Sequence, residues 1–147
     1  MKNIILTFLL FILSAQITFA ASDKAMRDLS RAVSATRQNY FQVCDNISTN
    51  FRADFKFINY MRGKCAYMAN DTFASADAIF SSIPDDGRKT RKSYNAEKSQ
   101  YIISGLNKNL LDYKATITEY CKYNSAKFIK KSPQACTPAR IESLFNY

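Results

Sequence analysis

The stretch from Arg91 to Asn124 constrains this chain more than any other, because it runs without a proline and carries one continuous apolar stripe. With Leu110 set at zero and about 100° per residue, Ile102, Ile103, Leu106, Leu110, Tyr113, Ile117, Tyr120 and Cys121 fall within about 80° of it. That width suits the core-facing side of a long helix. Glu97, Lys108, Asp112 and Glu119 take the far face, as a wetted side requires. Gly105 is the weak point, costing about 1 kcal/mol relative to alanine. Tyr94 and Tyr101, seven apart with Glu97 between them, stand nearly opposite the stripe. Either a loop or the C-terminal tail covers them, or they form an exposed aromatic patch of the kind protein interfaces favour.

The first twenty residues read as a leader. Lys2 gives a positive start, Ile4 to Leu13 is almost wholly apolar, and Thr18-Phe19-Ala20 places small residues three and one before a cleavage point. The apolar run is too short for a stable membrane anchor, and no cysteine follows the cut to carry a lipid. The expectation is a cleaved signal peptide over 1–20 and a single helical domain over 21–147, periplasmic or secreted. Removing Lys2 leaves 20 basic against 12 acidic residues, so the mature domain is strongly cationic. Outside the cytosol such a charge points to membrane surfaces, acidic polysaccharides and acidic proteins rather than nucleic acid.

The remaining pattern is helical throughout. Ser22 suits an N-cap, with Asp23 just inside, for a first helix running to about Ile47. Its buried face is Met26, Leu29, Val33, Thr36, Tyr40, Val43, Cys44 and Ile47, with Lys24, Arg27 and Arg31 opposite. Asn46 to Asn50 reads as a break, since Asn, Ser and Thr compete with the helical backbone for hydrogen bonds. A second helix then runs from Phe51 to about Met68, and Asp71 caps a short third one carrying Phe73, Ala76, Phe80 and Ile83. Pro84-Asp85-Asp86-Gly87 is a turn, followed by Arg88, Lys89, Arg91 and Lys92, the densest charge cluster in the chain. Cations are disfavoured where the helix macrodipole is positive. The cluster is therefore either a solvated loop or a contact for an acidic partner. Ser125 to Gln134 reads as a basic, frayed segment. Thr137-Pro138 then opens a short terminal helix whose Ile141, Leu144 and Phe145 dock on the bundle. The expected fold is an all-α, disulfide-stapled bundle of four to five helices with one long helix in its C-terminal half.

Four cysteines, Cys44, Cys65, Cys121 and Cys136, follow the leader, an even count that reads as two disulfides. A first hairpin turning near Thr49 would put Cys44 about 7 Å and Cys65 about 24 Å from the turn, too far apart for a disulfide. Continuing the four-helix path brings Cys121 level with Cys65 and returns Cys136 towards Cys44. That path predicts Cys65–Cys121 and Cys44–Cys136.

Chemistry finds little footing. The absence of histidine removes Ser-His and Cys-His pairs, and no two cysteines have zinc-ligand spacing. The acids that stand out, Asp23, Asp71, Asp85 and Asp86, read as caps and turn residues. The expectation is a binding protein with no cofactor, metal or catalytic site.

Cys65-Ala66 in the second helix, and Tyr94-Asn95-Ala96-Glu97-Lys98-Ser99 opening a long helix that closes near Cys121, resemble a family of bacterial immunity proteins. That family neutralises peptidoglycan amidases delivered by type VI secretion. The resemblance covers roughly Phe51 to Tyr123, and the chain departs from it in Cys44, Cys136 and a long basic tail. It implies a periplasmic, often homodimeric, non-enzymatic inhibitor that blocks an effector's cleft with an exposed loop. On physical grounds that loop is Pro84 to Lys92, with Arg88, Lys89, Arg91 and Lys92, helped by Tyr94, Glu97 and Tyr101. The alternatives are an inhibitor of a lysozyme-type hydrolase, or a structural adaptor held weakly to anionic envelope surfaces.

Overall fold

The computed structural model describes residues 2–81, 91–129 and 132–146. Three long helices dominate it: α1 (Lys2–Asn50), α2 (Phe55–Ser81) and α3 (Arg91–Asn124). A single 3₁₀ turn, Ser125–Phe128, and the short α4 (Pro138–Ser143) complete the chain, with no strand among the described residues. Tyr40 meets Tyr113 and Phe51 meets Tyr120, so α1 and α3 run in the same direction. Phe57 meets Tyr120 and Thr72 meets Asn109, so α2 runs against both.

The stripes read from the sequence form the core. On α3, Ile102, Leu106, Leu110, Tyr113, Ile117 and Cys121 are buried, while Glu97, Lys108, Asp112 and Glu119 are exposed. On α1, Tyr40, Val43, Cys44 and Ile47 are buried and Lys24, Arg27 and Arg31 are exposed. The backbone of α1 is already helical from Lys2, so its start is not Ser22.

Two boundaries differ from expectation, and each has a physical cause. Asn46 to Asn50 is not a break but the last turn and a half of α1. Ser48 bonds back to the Cys44 carbonyl at 3.0 Å without interrupting the helix, and the two asparagines find distant partners. Asn50 donates to the Ala135 carbonyl at 2.9 Å and accepts from Arg140 Nε at 2.8 Å, and Asn46 reaches the Leu144 carbonyl at 3.4 Å. The turn lies at residues 51–54, where Phe51 is fully buried and Asp54 caps α2 by accepting the Phe57 N–H at 3.1 Å.

The second difference is larger. The expected second and third helices are one, and Asp71 lies exposed in its middle rather than at a cap. Nothing between Met68 and Phe73 breaks the helix: Ala69, Thr72 and Ala76 continue the buried face. Thr72 bonds the Met68 carbonyl at 2.9 Å, and Asn109 of α3 donates to Thr72 Oγ1 at 3.3 Å. The helices approach closely there, since a Cβ on Gly105 would lie 2.7 Å from Thr72 Cγ2.

This fusion also overturns the expected disulfides. The bonds are Cys44–Cys65 and Cys121–Cys136, with Cα separations of 6.3 and 5.3 Å. Neither Cys65–Cys121 nor Cys44–Cys136 forms. Moving the first turn from Thr49 to 51–54 lengthens the arm to Cys44 and shortens the arm to Cys65. Their axial mismatch falls to about 6 Å, which a modest tilt between helices closes. With one helix fewer, α3 also runs in the opposite sense to the expected path. Cys121 therefore arrives at the end holding the α1–α2 turn, where the tail delivers Cys136.

The tail is ordered by that arrangement. Phe128, Ala135, Ile141 and Leu144 are buried, and Lys114 of α3 pairs with Glu142 at 2.6 Å. Thr137 accepts the Arg140 N–H with Pro138 in the first turn of α4, as its sequence predicts.

Candidate partner-binding site

The two ends of the bundle differ in how they are finished. At the end with the α1–α2 turn, Phe51, Phe57, Tyr120 and Phe128 form an aromatic knot in which Phe57 and Tyr120 stack with centroids 3.6 Å apart. Asp54 is tied into it, accepting from the Tyr120 hydroxyl at 2.6 Å and from Lys127 at 3.2 Å. The Tyr120 bond, the Phe57 N–H and Lys127 together hold the Asp54 carboxyl down at about 2, and burial beside that carboxylate pushes the Tyr120 phenol up. Midway along the bundle, Tyr40 donates to the Cys65 carbonyl at 2.8 Å. Tyr113 must therefore supply the proton of the Tyr40–Tyr113 hydroxyl pair, sharing it with the Lys64 carbonyl at 3.2 Å. Burial raises both phenols. These perturbed groups are occupied in holding helices together, and no buried side-chain polar atom among the described residues lacks a partner.

The end with the α1–α2 turn also carries a groove of about 540 Å³ beside Cys121–Cys136, lined by Thr118, Glu119, Lys122, Pro138 and Ile141, and a smaller one lies at the opposite end. Met26, Val33 and Ile102 floor a groove of about 310 Å³ between α1 and α3, with Ser30, Ser34 and Lys98 around it. Lys98 also pairs with Asp77 across the α2–α3 seam. Tyr101 is 39% exposed and meets the Phe80 ring edge-on at 5.9 Å. It is thus partly covered by Phe80 of α2. Glu97 is exposed one turn earlier.

Of the residues nominated from the sequence, Glu97 and Tyr101 are therefore placed together at this end. Arg91, Lys92 and Tyr94 belong to the first turn of α3. Arg88 and Lys89, with the rest of 82–90, lie outside the described residues. Sequence reading passed over Lys98, whose spacing three residues before Tyr101 places it on the α2 flank. It also passed over the outer side of α2, where Tyr60 and Tyr67 are 54% and 68% exposed. Their seven-residue spacing matches that of Tyr94 and Tyr101, a signal available on a helical wheel. Among the described residues, no group of three or more His, Cys, Asp or Glu could hold a metal ion, and no helix is long and apolar enough to cross a membrane. No known protein family, curated protein or solved structure matches the chain.

Proposed function

We propose that this chain is an exported helical inhibitor that neutralises a cell-wall hydrolase, a peptidoglycan amidase, by protein contact at the end of the bundle where α3 begins. The observation carrying this reading is that Glu97, Tyr101 and a groove gather at that end. The other end holds the aromatic knot, a disulfide and the tail, with a groove of about 540 Å³ beside that disulfide, whereas here Tyr101 is 39% exposed and Met26, Val33 and Ile102 floor a smaller groove. Arg91 and Lys92 open α3 at this end, and Arg88 and Lys89 precede them in the sequence. Two disulfides favour an oxidising compartment, and a cut after Ala20 would begin the mature chain at the residue before Ser22. A rigid, stapled bundle also loses little freedom on binding, which suits an inhibitor. The match of Tyr94 to Ser99 with the amidase-immunity pattern falls at the start of α3, within the proposed surface.

The test is titration of the mature, oxidised protein into a periplasm-targeted peptidoglycan amidase, reading both heat and residual hydrolysis. Stoichiometric inhibition is expected. Arg88→Glu with Arg91→Glu should weaken the complex about tenfold, or 1.4 kcal/mol, with helicity unchanged by circular dichroism. A complex indifferent to that double change removes the loop from the interface. Absence of inhibition, together with binding to anionic vesicles that collapses at physiological salt, would replace the inhibitor with an envelope-associated adaptor.

A further inference from the structure

The two disulfides stand in different surroundings. Cys44 of α1 and Cys65 of α2 are both buried in the core, so a reagent reaches their bond only after the two helices part. Cys121–Cys136 instead joins the last turn of α3 to a turn of the tail. Cys121 is buried, but Cys136 is only half-buried, and both line the groove of about 540 Å³ with Thr118 and Lys122. Small-molecule sites span about 300–1,000 Å³, so this groove has room for a thiol with a short peptide attached.

Thiol–disulfide exchange is governed by which sulfur the attacking thiolate can reach, and here that is Cys136 Sγ. A bond forms between the incoming sulfur and Cys136 Sγ, the bond to Cys121 Sγ breaks, and Cys121 leaves as a thiolate with the electron pair. Lys122 lines the same groove, and a neighbouring cation stabilises a thiolate. Water then protonates Cys121, or the thiolate returns to Cys136 and expels the incoming thiol, so the step is reversible. The segment around Cys136 is also held without the disulfide. Asn50 donates to the Ala135 carbonyl and accepts from Arg140, Asn46 reaches the Leu144 carbonyl, and Lys114 pairs with Glu142. Ala135, Ile141 and Leu144 are buried on both sides of Cys136 in sequence. Opening the bond therefore leaves the tail docked and the adduct in the groove. We propose that Cys136 is a site of reversible S-thiolation, at which a small peptidyl thiol exchanges into the Cys121–Cys136 bond of the folded protein. The exchange needs no effector, so its fate and that of the inhibitory reading are decided separately.

Reduced glutathione is the probe. The oxidised protein is held with an excess of it under native conditions, quenched by alkylation and mapped by peptide mass spectrometry. The first product should carry glutathione on Cys136 and the alkyl group on Cys121. It should appear at least about tenfold faster than any change at Cys44 or Cys65, with helicity retained by circular dichroism. Sub-denaturing urea should leave that rate unchanged while accelerating attack on Cys44–Cys65, which waits for the helices to part. Thr118→Trp and, separately, Ser125→Trp fill the groove from exposed positions. Each should slow adduct formation at least about threefold without loss of helicity. Equal rates at the two disulfides, or an adduct on Cys121 instead of Cys136, overturns the proposal. So does an adduct that forms only in urea, or a rate indifferent to both fillings of the groove.

Discussion

Asp54 carries more of this fold than its place in a four-residue turn suggests. One carboxylate caps α2, holds Tyr120 of α3 and meets Lys127 beyond it, so a single side chain registers three segments. Its pKa sits below the ordinary carboxylate value, at about 2. A depressed carboxylate stabilises the fold above its unfolded pKa, and that contribution is lost as pH falls through the folded one. Stability from Asp54 should therefore be complete above about pH 5 and decline towards pH 2. Asp54→Ala should cost about 2 kcal/mol at neutral pH in chemical denaturation followed by circular dichroism. The gap between variant and unaltered chain should close on acidification, and a gap constant from pH 6 to 2 would show that the charge is immaterial. Sequence reading missed Asp54 because its partners lie 66 and 73 residues away, beyond any local window. Thr137 was legible because its cap is local, with the Pro138 that fixes the first helical turn beside it.

The same division between local and distant causes governs the helices. The buried faces of α1 and α3 could be read residue by residue, since periodicity records which side meets the core. The ends of α1 and the unity of α2 could not. Asn50 bonds Ala135 in the tail, and Thr72 sits against Gly105 and Asn109 of α3, so polar residues that look like helix breakers are side chains committed to distant segments. Gly105 belongs to this scale, because it lets α3 approach α2. Gly105→Ala gains about 1 kcal/mol of helix propensity, but its methyl would collide with the β-branched Thr72, whose hydroxyl is held by two hydrogen bonds. The overlap costs about 1–3 kcal/mol, so the variant should melt at a lower temperature. In a Thr72→Ser background, which removes Cγ2 and keeps the hydroxyl, the same change should be neutral or stabilising. A higher melting temperature for Gly105→Ala alone would show that the approach is looser than 2.7 Å implies.

At the scale of the molecule, fusing two expected helices into α2 reverses α3 and changes which cysteines meet. Each bond now closes a short loop, with sequence separations of 21 and 15, worth about 3 kcal/mol apiece in the chain-entropy account. It also leaves no covalent tie between the first half of the chain and the second other than the backbone from 66 to 120. A protease that nicks the chain once in that interval therefore makes two pieces, each keeping its own cystine. They should run apart on a denaturing gel without any reductant, whereas the connectivity expected from sequence would hold them together. Until that gel, only the interlocked side chains of the core keep the halves in one body.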